Sequence, residues 1–479
     1  MRNHTKQIGL CVLSLALLAS PLTSTAQTAP RTTTEAADAV GHQIDDVLKG
    51  HFKADQPGAT VIVMRDGKTL LRKAYGLSNL EDKSALRTDT MMLVGSITKQ
   101  FTAVAILQLV EAGKLRLDDD IHTLLPKLPS KGQKITIAQL LSHTSGVRNF
   151  FAMPGFETIV AKPMTVPQVF EFFKDEPLEF APGERFAYSN TGYFLLGLVI
   201  EQLSGTSYAD YMAKHVFTPL HMQHTAYEGQ QNKKFTHAQG YADFEGKGTV
   251  KKTDPFSVDI AYSAGALVST VDDLALWDQA VTEQKLISPS SWAQALRPYK
   301  LNNGSEIGYG FGWMNLKVQG VAANAHDGII PGYNAFAIRV PQHKVYVAIL
   351  SNNATLQPST ALLGETVAAM AMGKPFPVYK AITLSVAQLE QFVGAYRINE
   401  KENRVITRDG QRLLMQRGKR PPVEILAYGD NEFFIKDSPG RLHLRFDMNA
   451  NGKVSQMTVV QIGDTSVCPR IEATVGANP

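Results

Sequence analysis

The sequence has very little cysteine, with two residues among 479. Cys11 lies inside an apolar run near the N-terminus, Ile8–Leu18, and Cys468 lies near the C-terminus. If the N-terminal run is removed on export, only Cys468 remains, and an intramolecular disulfide is then excluded. The stability of the fold must therefore come from a packed core.

Long apolar runs are also missing after that first one. Two positive residues precede Ile8–Leu18, and Pro21 and the small-x-small site Ser24-Thr25-Ala26 follow it. This order is typical of a cleavable secretory signal peptide, which we place at residues 1–26. The run is too short to cross a bilayer, and its cysteine lies inside it rather than at the cleavage point. We therefore predict an exported protein, periplasmic or secreted, without a stable membrane anchor.

A strong charge of either sign is absent as well. The formal net charge is +4, and 44% of the residues are apolar while 19% are charged. No basic cluster with interleaved aromatic residues occurs in the sequence, so nucleic acid is not an expected partner. The length allows a large core and more than one domain, and it leaves the oligomeric state open.

The most informative stretch is a long apolar segment in the first quarter of the chain. From Ile97 to Val110 it is apolar on almost every face, and Gly113 offers a stop, which predicts a helix buried in the core. Ser96 and Lys99 lie in its first turn, three residues apart and on one face. Burial favours a neutral lysine, which is a general base beside a hydroxyl. The alternative is that Ser96 caps the helix and Lys99 extends to water.

Hairpin patterns lie on both sides of this helix. Ala59–Met64 and Thr69–Tyr75 are apolar-rich runs joined by Asp66-Gly67, a dipeptide that favours a tight turn. Asn334–Val340 and Lys344–Leu350 form a second pair. We therefore expect strands from both ends of one domain to form an antiparallel sheet.

Other segments of this part of the sequence have helical patterns. Thr191–Leu203 is a second apolar helix that Gly205 closes, and another helix spans Thr360–Met372. The sequence thus predicts an α+β fold for residues 27–372, with an antiparallel sheet flanked by helices and an all-helical region beside it.

The C-terminal part has a different pattern. Two prolines mark a linker at residues 373–383, and a small antiparallel barrel or meander is predicted for residues 384–470, followed by a tail at residues 471–479. The strands predicted there are 393–397, 404–407, 412–416, 432–435, 442–446 and 454–460.

Three short motifs occur in a fixed order: Ser96-x-x-Lys99, Tyr188-x-Asn190 and His326-x-Gly328. Wider signatures surround them, namely Gly95–Thr102, Leu140–Gly146, and Pro182-Gly183 ahead of Tyr188–Gly197. Together they resemble the serine hydrolases of the class C β-lactamase and penicillin-binding-protein superfamily, over nearly all of residues 35–372. The resemblance implies a β-lactamase/transpeptidase-like fold for this part of the chain.

The resemblance also implies roles for individual residues. Ser96 attacks a carbonyl and becomes acylated, Lys99 serves as the base, Tyr188 relays the proton, and Asn190 positions the substrate. The oxyanion is expected between the backbone N–H groups of Ser96 and of Ile329. Burial lowers the pKa of a lysine and raises that of a tyrosine, which favours Lys99 as the initial base, although the sequence leaves Tyr188 open.

The third motif departs from the Lys-Thr-Gly that many β-lactamases and carboxypeptidases of the superfamily carry. His326 and Gly328 are implied in substrate binding, and we expect Gly328 to be needed because a side chain would block the substrate. A mostly uncharged histidine beside Asp327 is unfavourable for an anionic substrate, which argues against efficient β-lactam hydrolysis. We expect an ester, amide or peptide substrate, either with a neutral acyl group or with an ammonium that pairs with Asp327. Because side chains alternate between the two faces of a strand, the sequence leaves it equally open that Asp327 points away from the cleft.

Two other functions remain open. One is a genuine β-lactamase or D-Ala-D-Ala carboxypeptidase, and the other is a non-catalytic sensor or binding protein on the same scaffold. His143-Thr-Ser145-Gly is expected to support the cleft rather than to form a second nucleophile site. His221-x-x-His224 lacks a third ligand and Asp447–Gly452 lacks the final acid of a calcium loop, so no metal or cofactor is predicted.

Overall fold

The computed structural model describes residues 33–130, 132–160, 162–230, 235–254, 256–400, 402–436, 442–461 and 464–471. The predicted signal peptide lies outside these ranges, and export stays a prediction. Within them, none of the helices combines the length and apolar character that a membrane span requires.

The regular elements are as follows. In chain order the helices are α1 (Thr33–His51), α2 (Thr98–Glu111), α3 (Ile121–Leu124), α4 (Ile137–Leu141), α5 (Phe156–Val160), α6 (Val166–Phe173), α7 (Asn190–Ser204), α8 (Tyr208–Met212), α9 (Val258–Gly265), α10 (Val271–Thr282), α11 (Pro289–Leu296), α12 (Thr360–Ala371) and α13 (Val386–Glu390). The strands are β1 (Ala59–Arg65), β2 (Lys68–Tyr75), β3 (Met92–Leu93), β4 (Ala226–Tyr227), β5 (Tyr241–Ala242), β6 (Lys251–Lys252), β7 (Leu267–Ser269), β8 (Met314–Val318), β9 (Val321–Ile330), β10 (Tyr333–Val340), β11 (Val345–Ser351), β12 (Gly394–Arg397), β13 (Asn403–Asp409), β14 (Arg412–Arg417), β15 (Val423–Gly429), β16 (Glu432–Ile435), β17 (Leu442–Met448), β18 (Val454–Gln461) and β19 (Asp464–Ile471).

The main sheet joins strands from both ends of the first domain, which confirms the predicted fold class. Its order is β2-β1-β11-β10-β9-β8, and every neighbouring pair is antiparallel. Asp66 and Gly67, both with positive φ, form the tight turn between β1 and β2, as the dipeptide predicts. One face of the sheet packs against α1 and α12, and the other faces the helical core around α2.

Helix α2 is buried almost completely, as its apolar sequence predicts. All residues from Thr98 to Leu107 are buried, and Phe101 stacks on Trp277 of α10 with ring centroids 4.1 Å apart. The helix is therefore enclosed by protein on all sides for its first three turns, and side chains at its N-terminus are held away from bulk water.

The C-terminal strands close into a barrel of eight antiparallel strands, β12 to β19. This resolves the alternative between a barrel and a meander. Sequence patterns missed β15 and β19: Pro421-Pro422 stands directly before Val423, and Pro469 lies inside the last strand. Proline removes a ladder donor and so weakens the strand pattern, whereas closure of the barrel supplies neighbours on both sides of β19.

Close packing between α12 and the sheet generates a stability prediction. A Cβ atom on Gly364 would lie 2.4 Å from Cδ1 of Phe336, which is buried in the sheet, whereas a Cβ on Gly50 of α1 would meet nothing within 4 Å. We expect Gly364→Ala to lower the free energy of unfolding by about 1–3 kcal/mol through overpacking. Gly50→Ala, the matched control, is expected to leave it unchanged or raise it by up to ~1 kcal/mol. Urea denaturation measures both, and equal effects of the two substitutions would contradict the packing described.

Candidate active site

Ser96 lies in a 3₁₀ turn, Gly95–Ile97, that leads directly into α2. The residue at the N-cap of α2 is Ile97, and no side chain caps the helix there. Ser96 is partly exposed, while Lys99 is fully buried. The alternative in which Ser96 caps the helix and Lys99 extends to water is therefore wrong, because the hydroxyl is left free for other partners and the amine is enclosed.

The amine of Lys99 is surrounded by three oxygen atoms from separate elements. Its Nζ lies 2.9 Å from Ser96 Oγ, 2.8 Å from Asn190 Oδ1 and 2.7 Å from the carbonyl oxygen of Ala264. The amide and carbonyl oxygens only accept hydrogen bonds, whereas the hydroxyl can also donate. A neutral amine has two N–H groups and one lone pair. It matches this set if both N–H groups go to the two acceptors and the lone pair faces the hydroxyl of Ser96.

Burial favours this neutral form. Removal from water lowers the pKa of Lys99 well below its ordinary value, and the nearby carboxylate of Asp327 opposes the shift in part. Rings of Tyr188 and Tyr193 lie 4.9 and 5.6 Å from Nζ and exclude solvent from two further directions. A neutral amine in this position can take the proton of Ser96.

Tyr188 lines the opposite side of the nucleophile. Its hydroxyl interacts with Ser96, and part of the ring stays exposed in the cleft. Desolvation raises the pKa of Tyr188 above its ordinary value; the hydrogen bond with Ser96 opposes this shift in part, and the charge of Asp327 adds a smaller increase. The phenol is therefore neutral at physiological pH and can act as a proton carrier rather than as the initial base.

His143 supports Tyr188 from behind. The two ring centroids are 4.2 Å apart, and His143 Nδ1 accepts a hydrogen bond of 3.1 Å from the N–H of Ser189, next to Tyr188. Burial lowers the pKa of His143 well below its ordinary value, so the ring is neutral. Ser145 is also buried, and its hydroxyl accepts from the N–H of Val147. The geometry agrees with the expected supporting role of this loop.

Asn190 is placed by the start of α7. Ser189 is the N-cap of that helix, and its side chain accepts from the N–H of Gly192. Asn149 Oδ1 accepts from both the backbone N–H and the side-chain Nδ2 of Asn190, at 3.2 and 3.4 Å. These bonds orient the amide so that Oδ1, an acceptor, faces Lys99.

Strand β9 brings the third motif beside Ser96. A Cβ on Gly328 would lie 2.0 Å from the carbonyl oxygen of Val94 and 3.1 Å from the backbone N of Ser96. Gly328 is thus required because the strand itself packs against the turn of Ser96. This corrects the expectation that a side chain would only obstruct the substrate, since it would first displace the nucleophile's own turn.

The backbone of Ile329 faces the cleft. A two-residue loop, Pro331-Gly332, joins β9 to β10, with Ile330 opposite Tyr333 and Ile329 opposite Asn334. In a hairpin of this kind the pair next to the loop is hydrogen-bonded and the following pair, here Ile329 and Asn334, is not. The N–H of Ile329 therefore points away from β10. A Cβ on Gly95 would lie 3.1 Å from this nitrogen, which places it beside the turn of Ser96. The backbone N–H groups of Ser96 and Ile329 therefore belong to two segments that pack directly against each other.

The side chain of His326 is enclosed in the protein, so it is not available for the substrate contact that the resemblance implies. The ring is fully buried, Nε2 lies 2.7 Å from the hydroxyl of Tyr309, and Nδ1 lies 2.6 Å from the carbonyl oxygen of Asp327. Because that carbonyl only accepts, Nδ1 carries the proton and Nε2 accepts from Tyr309. Burial lowers the pKa of His326 below its ordinary value. The ring is neutral and both nitrogens are engaged inside the protein, so its role is to hold β9 and Tyr309 together.

Asp327 alternates to the opposite face of β9 from His326, as the strand period requires. Its side chain is 44% exposed, and Oδ1 lies 3.7 Å from His326 Nδ1. Its charge raises the pKa of Lys99 and of Tyr188, so the carboxylate lies within electrostatic range of the reacting groups. It forms an acidic point at the edge of the cleft.

Several partners in the site were not predicted from the sequence. The carbonyl of Ala264 belongs to the backbone and has no sequence signal, although Tyr262 nearby has a strained positive φ of 39°. Asn149 lies outside the motifs. Tyr309 stands in the run Gly308-Tyr309-Gly310-Phe311-Gly312-Trp313, and its alternation of glycine and aromatic residues is the signal that would have found it.

The other candidates lie apart from this cluster. The ring of His224 packs on Phe235 with centroids 4.0 Å apart, and Asp447–Gly452 runs from the end of β17 into the turn before β18. Within the described part of the chain, no group of three or more metal-ligating side chains is found.

Two family models match the chain. One, described as Beta-lactamase, matches residues 38–370, and the other, a domain of unknown function, matches residues 379–470. The chain is 29% identical to penicillin-binding protein 4* of Bacillus subtilis (strain 168) over 402 residues, which are 80% of this chain and 88% of that protein.

Solved structures show the same fold. The octameric penicillin-binding protein homologue from Pyrococcus abyssi matches with a TM-score of 0.63 at 24% identity, over 90% of this chain and 98% of that chain. A D-stereospecific amidohydrolase from Streptomyces sp. matches with a TM-score of 0.55 at 26% identity, over 66% of this chain and 94% of that chain.

The buried amine generates a prediction about stability and pH. An unfolded lysine titrates near 10.4, whereas Lys99 in the folded protein has a pKa well below that. Between these two values the unfolded state binds one more proton, so stability rises with pH by about 1.4 kcal/mol per unit. In Lys99→Met this contribution is absent. Urea denaturation from pH 7.5 to 9.5 should give a slope lower by about that amount in the variant; identical slopes would show that Lys99 stays protonated.

Proposed function

This chain belongs to the β-lactamase family, whose model matches residues 38–370. From that membership we propose that it cleaves an ester or amide bond of a small substrate through an acyl-enzyme on Ser96. The observation that carries the proposal is the set of contacts around Lys99. Two obligate acceptors and one hydroxyl surround a buried amine. This arrangement supports a neutral base next to a nucleophile.

The first step begins with proton transfer from Ser96 Oγ to Lys99 Nζ. The oxygen then attacks the carbonyl carbon of the substrate, and the carbonyl becomes a tetrahedral oxyanion. The N–H groups of Ser96 and Ile329 are placed to stabilise that charge. Donors of this kind typically contribute about 10²- to 10³-fold each to the rate.

The second step releases the leaving group. Lys99 now carries the extra proton, and Tyr188, which interacts with Ser96, can pass a proton to the leaving oxygen or nitrogen while it receives one from Lys99. The carbon–leaving group bond breaks and the acyl-enzyme remains. Deacylation reverses the path with water as the nucleophile, and Asn190 keeps the amine in position throughout.

The charge of the site supports a substrate without a carboxylate at the third motif. His326 is neutral and buried, and the exposed charge nearby is the carboxylate of Asp327. A neutral acyl group fits this field, and so does an ammonium next to the scissile bond. The similarity to a D-stereospecific amidohydrolase supports an amide as one target. β-Lactam hydrolysis and D-Ala-D-Ala carboxypeptidase activity are disfavoured by the same charge.

A labelling experiment tests the nucleophile. We expect a fluorophosphonate probe to label the wild-type protein, and Ser96→Ala to reduce labelling by at least about 10³-fold, because the probe requires an activated hydroxyl. Ser145→Ala, the matched control at the other serine near a histidine, should label normally. Hydrolysis of p-nitrophenyl esters, D-amino-acid anilides, D-Ala-D-Ala peptides and nitrocefin should depend on Ser96 in the same way.

Two outcomes of that experiment would contradict the proposal. If the wild-type protein is neither labelled nor active on any member of the panel, it is a non-catalytic binding protein on this scaffold. If nitrocefin is cleaved as fast as the best ester or anilide, the argument from charge at the third motif is wrong.

Asp327 allows a test of the ammonium form of the proposal. Asp327→Asn should lower kcat/KM for a D-amino-acid p-nitroanilide by about fivefold, as expected for loss of a partly exposed ion pair of roughly 1 kcal/mol. The value for p-nitrophenyl acetate should stay within about twofold of wild type. Asp409→Asn, an exposed acid on the barrel, is the control. A loss of the same size on both substrates would mean that Asp327 acts on the catalytic groups and not on the substrate ammonium.

A further inference from the structure

A wide groove opens beside the end of β9. It has a volume of about 1190 Å³ and is lined by Pro163 before α6, by the β5–β6 hairpin with Phe244 and Thr249, by Phe256, and by Pro331. We call it the distal groove. Most of its exposed wall is apolar, and Phe244 is 74% exposed, a large value for a phenylalanine.

The distal groove begins two residues beyond Ile329, whose N–H is the proposed oxyanion donor. Pro331 follows β9 directly and stands two residues beyond Ile329, a distance of about 7 Å along a strand. Phe256 packs against the apolar cluster of Leu93 and Ile330, and Leu93 precedes Ser96 by three residues. One small apolar cluster therefore separates the groove from the turn that carries the nucleophile. Ile329 itself is 62% exposed at the junction.

The direction of β9 shows which part of a substrate would reach the groove. Tyr188, the proposed proton carrier to the leaving group, lies at the His326 end of the strand, with ring centroids 6.2 Å apart. Pro331 is five residues further along, about 16 Å away. The leaving group must lie near Tyr188, so the acyl group extends from the oxyanion position toward Pro331.

Four of the seven charged residues that line the groove have partners within the hairpin, and a fifth, Lys252, forms an ion pair with Glu81. Glu245 forms ion pairs with Lys247 and Lys251, at 2.6 and 3.0 Å. The carboxylate of Asp243 accepts hydrogen bonds from the backbone N–H groups of Lys247 and Gly248, within its own hairpin. These pairs leave the aromatic and aliphatic wall as the main surface for a ligand, and lysine stems add to it.

We propose that the distal groove binds the acyl part of the substrate and that the preferred substrates are esters or amides of long aliphatic or aromatic acyl groups. This inference rests on the proposed function of Ser96. An acetyl group is too short to cover the 7 Å of strand between Ile329 and Pro331, whereas an octanoyl group is long enough to enter. The groove thereby selects substrates whose acyl group is long and apolar.

The test compares p-nitrophenyl acetate with p-nitrophenyl octanoate. Phe244→Ala should lower kcat/KM for the octanoate by about tenfold and leave the acetate within about twofold, because only the long chain loses apolar contact. Thr249→Trp, which fills the groove from an exposed position, should raise KM for the octanoate and not for the acetate. Val378→Ala, at an exposed apolar residue of the linker, is the matched control.

The outcomes separate this inference from the proposed function. If wild type hydrolyses the acetate and both groove variants change the two esters equally or not at all, the acyl groove is refuted and the hydrolase stands. If wild type cleaves neither ester and a fluorophosphonate does not label Ser96, the proposed function and the groove inference fail together.

Discussion

A lysine amine enclosed by acceptors and shut off from water is the constraint on which the whole site depends. The three oxygens around Lys99 come from the turn before α2, from the start of α7 and from the C-terminal end of α9. They meet only because α2 is buried between those elements. Burial of a charged amine is costly, and here the apolar faces of α2 hold the group in place while its lone pair is directed to Ser96. The packing of the core around α2 therefore also positions Lys99 relative to Ser96.

Contact between backbones is the second constraint. β9 approaches the turn of Ser96 so closely that neither Gly328 nor Gly95 has room for a side chain without displacement. The short pairing of β3 with β7 brings Ala264 to the other side of the same turn. The proposed oxyanion donors, the N–H groups of Ser96 and Ile329, and one of the acceptors of Lys99 all belong to the main chain. Such groups move less than side chains, and they are in place before a substrate arrives.

The catalytic motifs and the general fold were predictable because they combine local patterns with residue types that leave few alternatives. An apolar helix with Ser96 and Lys99 in its first turn, and hairpins at both ends of the domain, already indicate the arrangement. The rest depends on contacts that local patterns do not encode. The carbonyl of Ala264 could be that of any residue type, β19 contains a proline that weakens its pattern, and the burial of His326 follows from Tyr309 in a neighbouring segment. The alternation of side chains along β9 puts Asp327 on the face opposite to His326, but which of the two faces borders the cleft depends on the fold.

The groups that surround Ser96 and Lys99 are mostly uncharged. Around the reacting groups lie neutral histidines, tyrosines with raised pKa values and an apolar groove, with the carboxylate of Asp327 at the edge. The proposed mechanism requires the amine of Lys99 to be neutral near pH 7. The most direct measurement is an NMR titration of the Lys99 side chain in protein with isotope-labelled lysine. The account predicts a neutral amine at neutral pH that gains its proton only at lower pH. A protonated Lys99 together with an ionised Tyr188 would contradict it and would make the tyrosine the base.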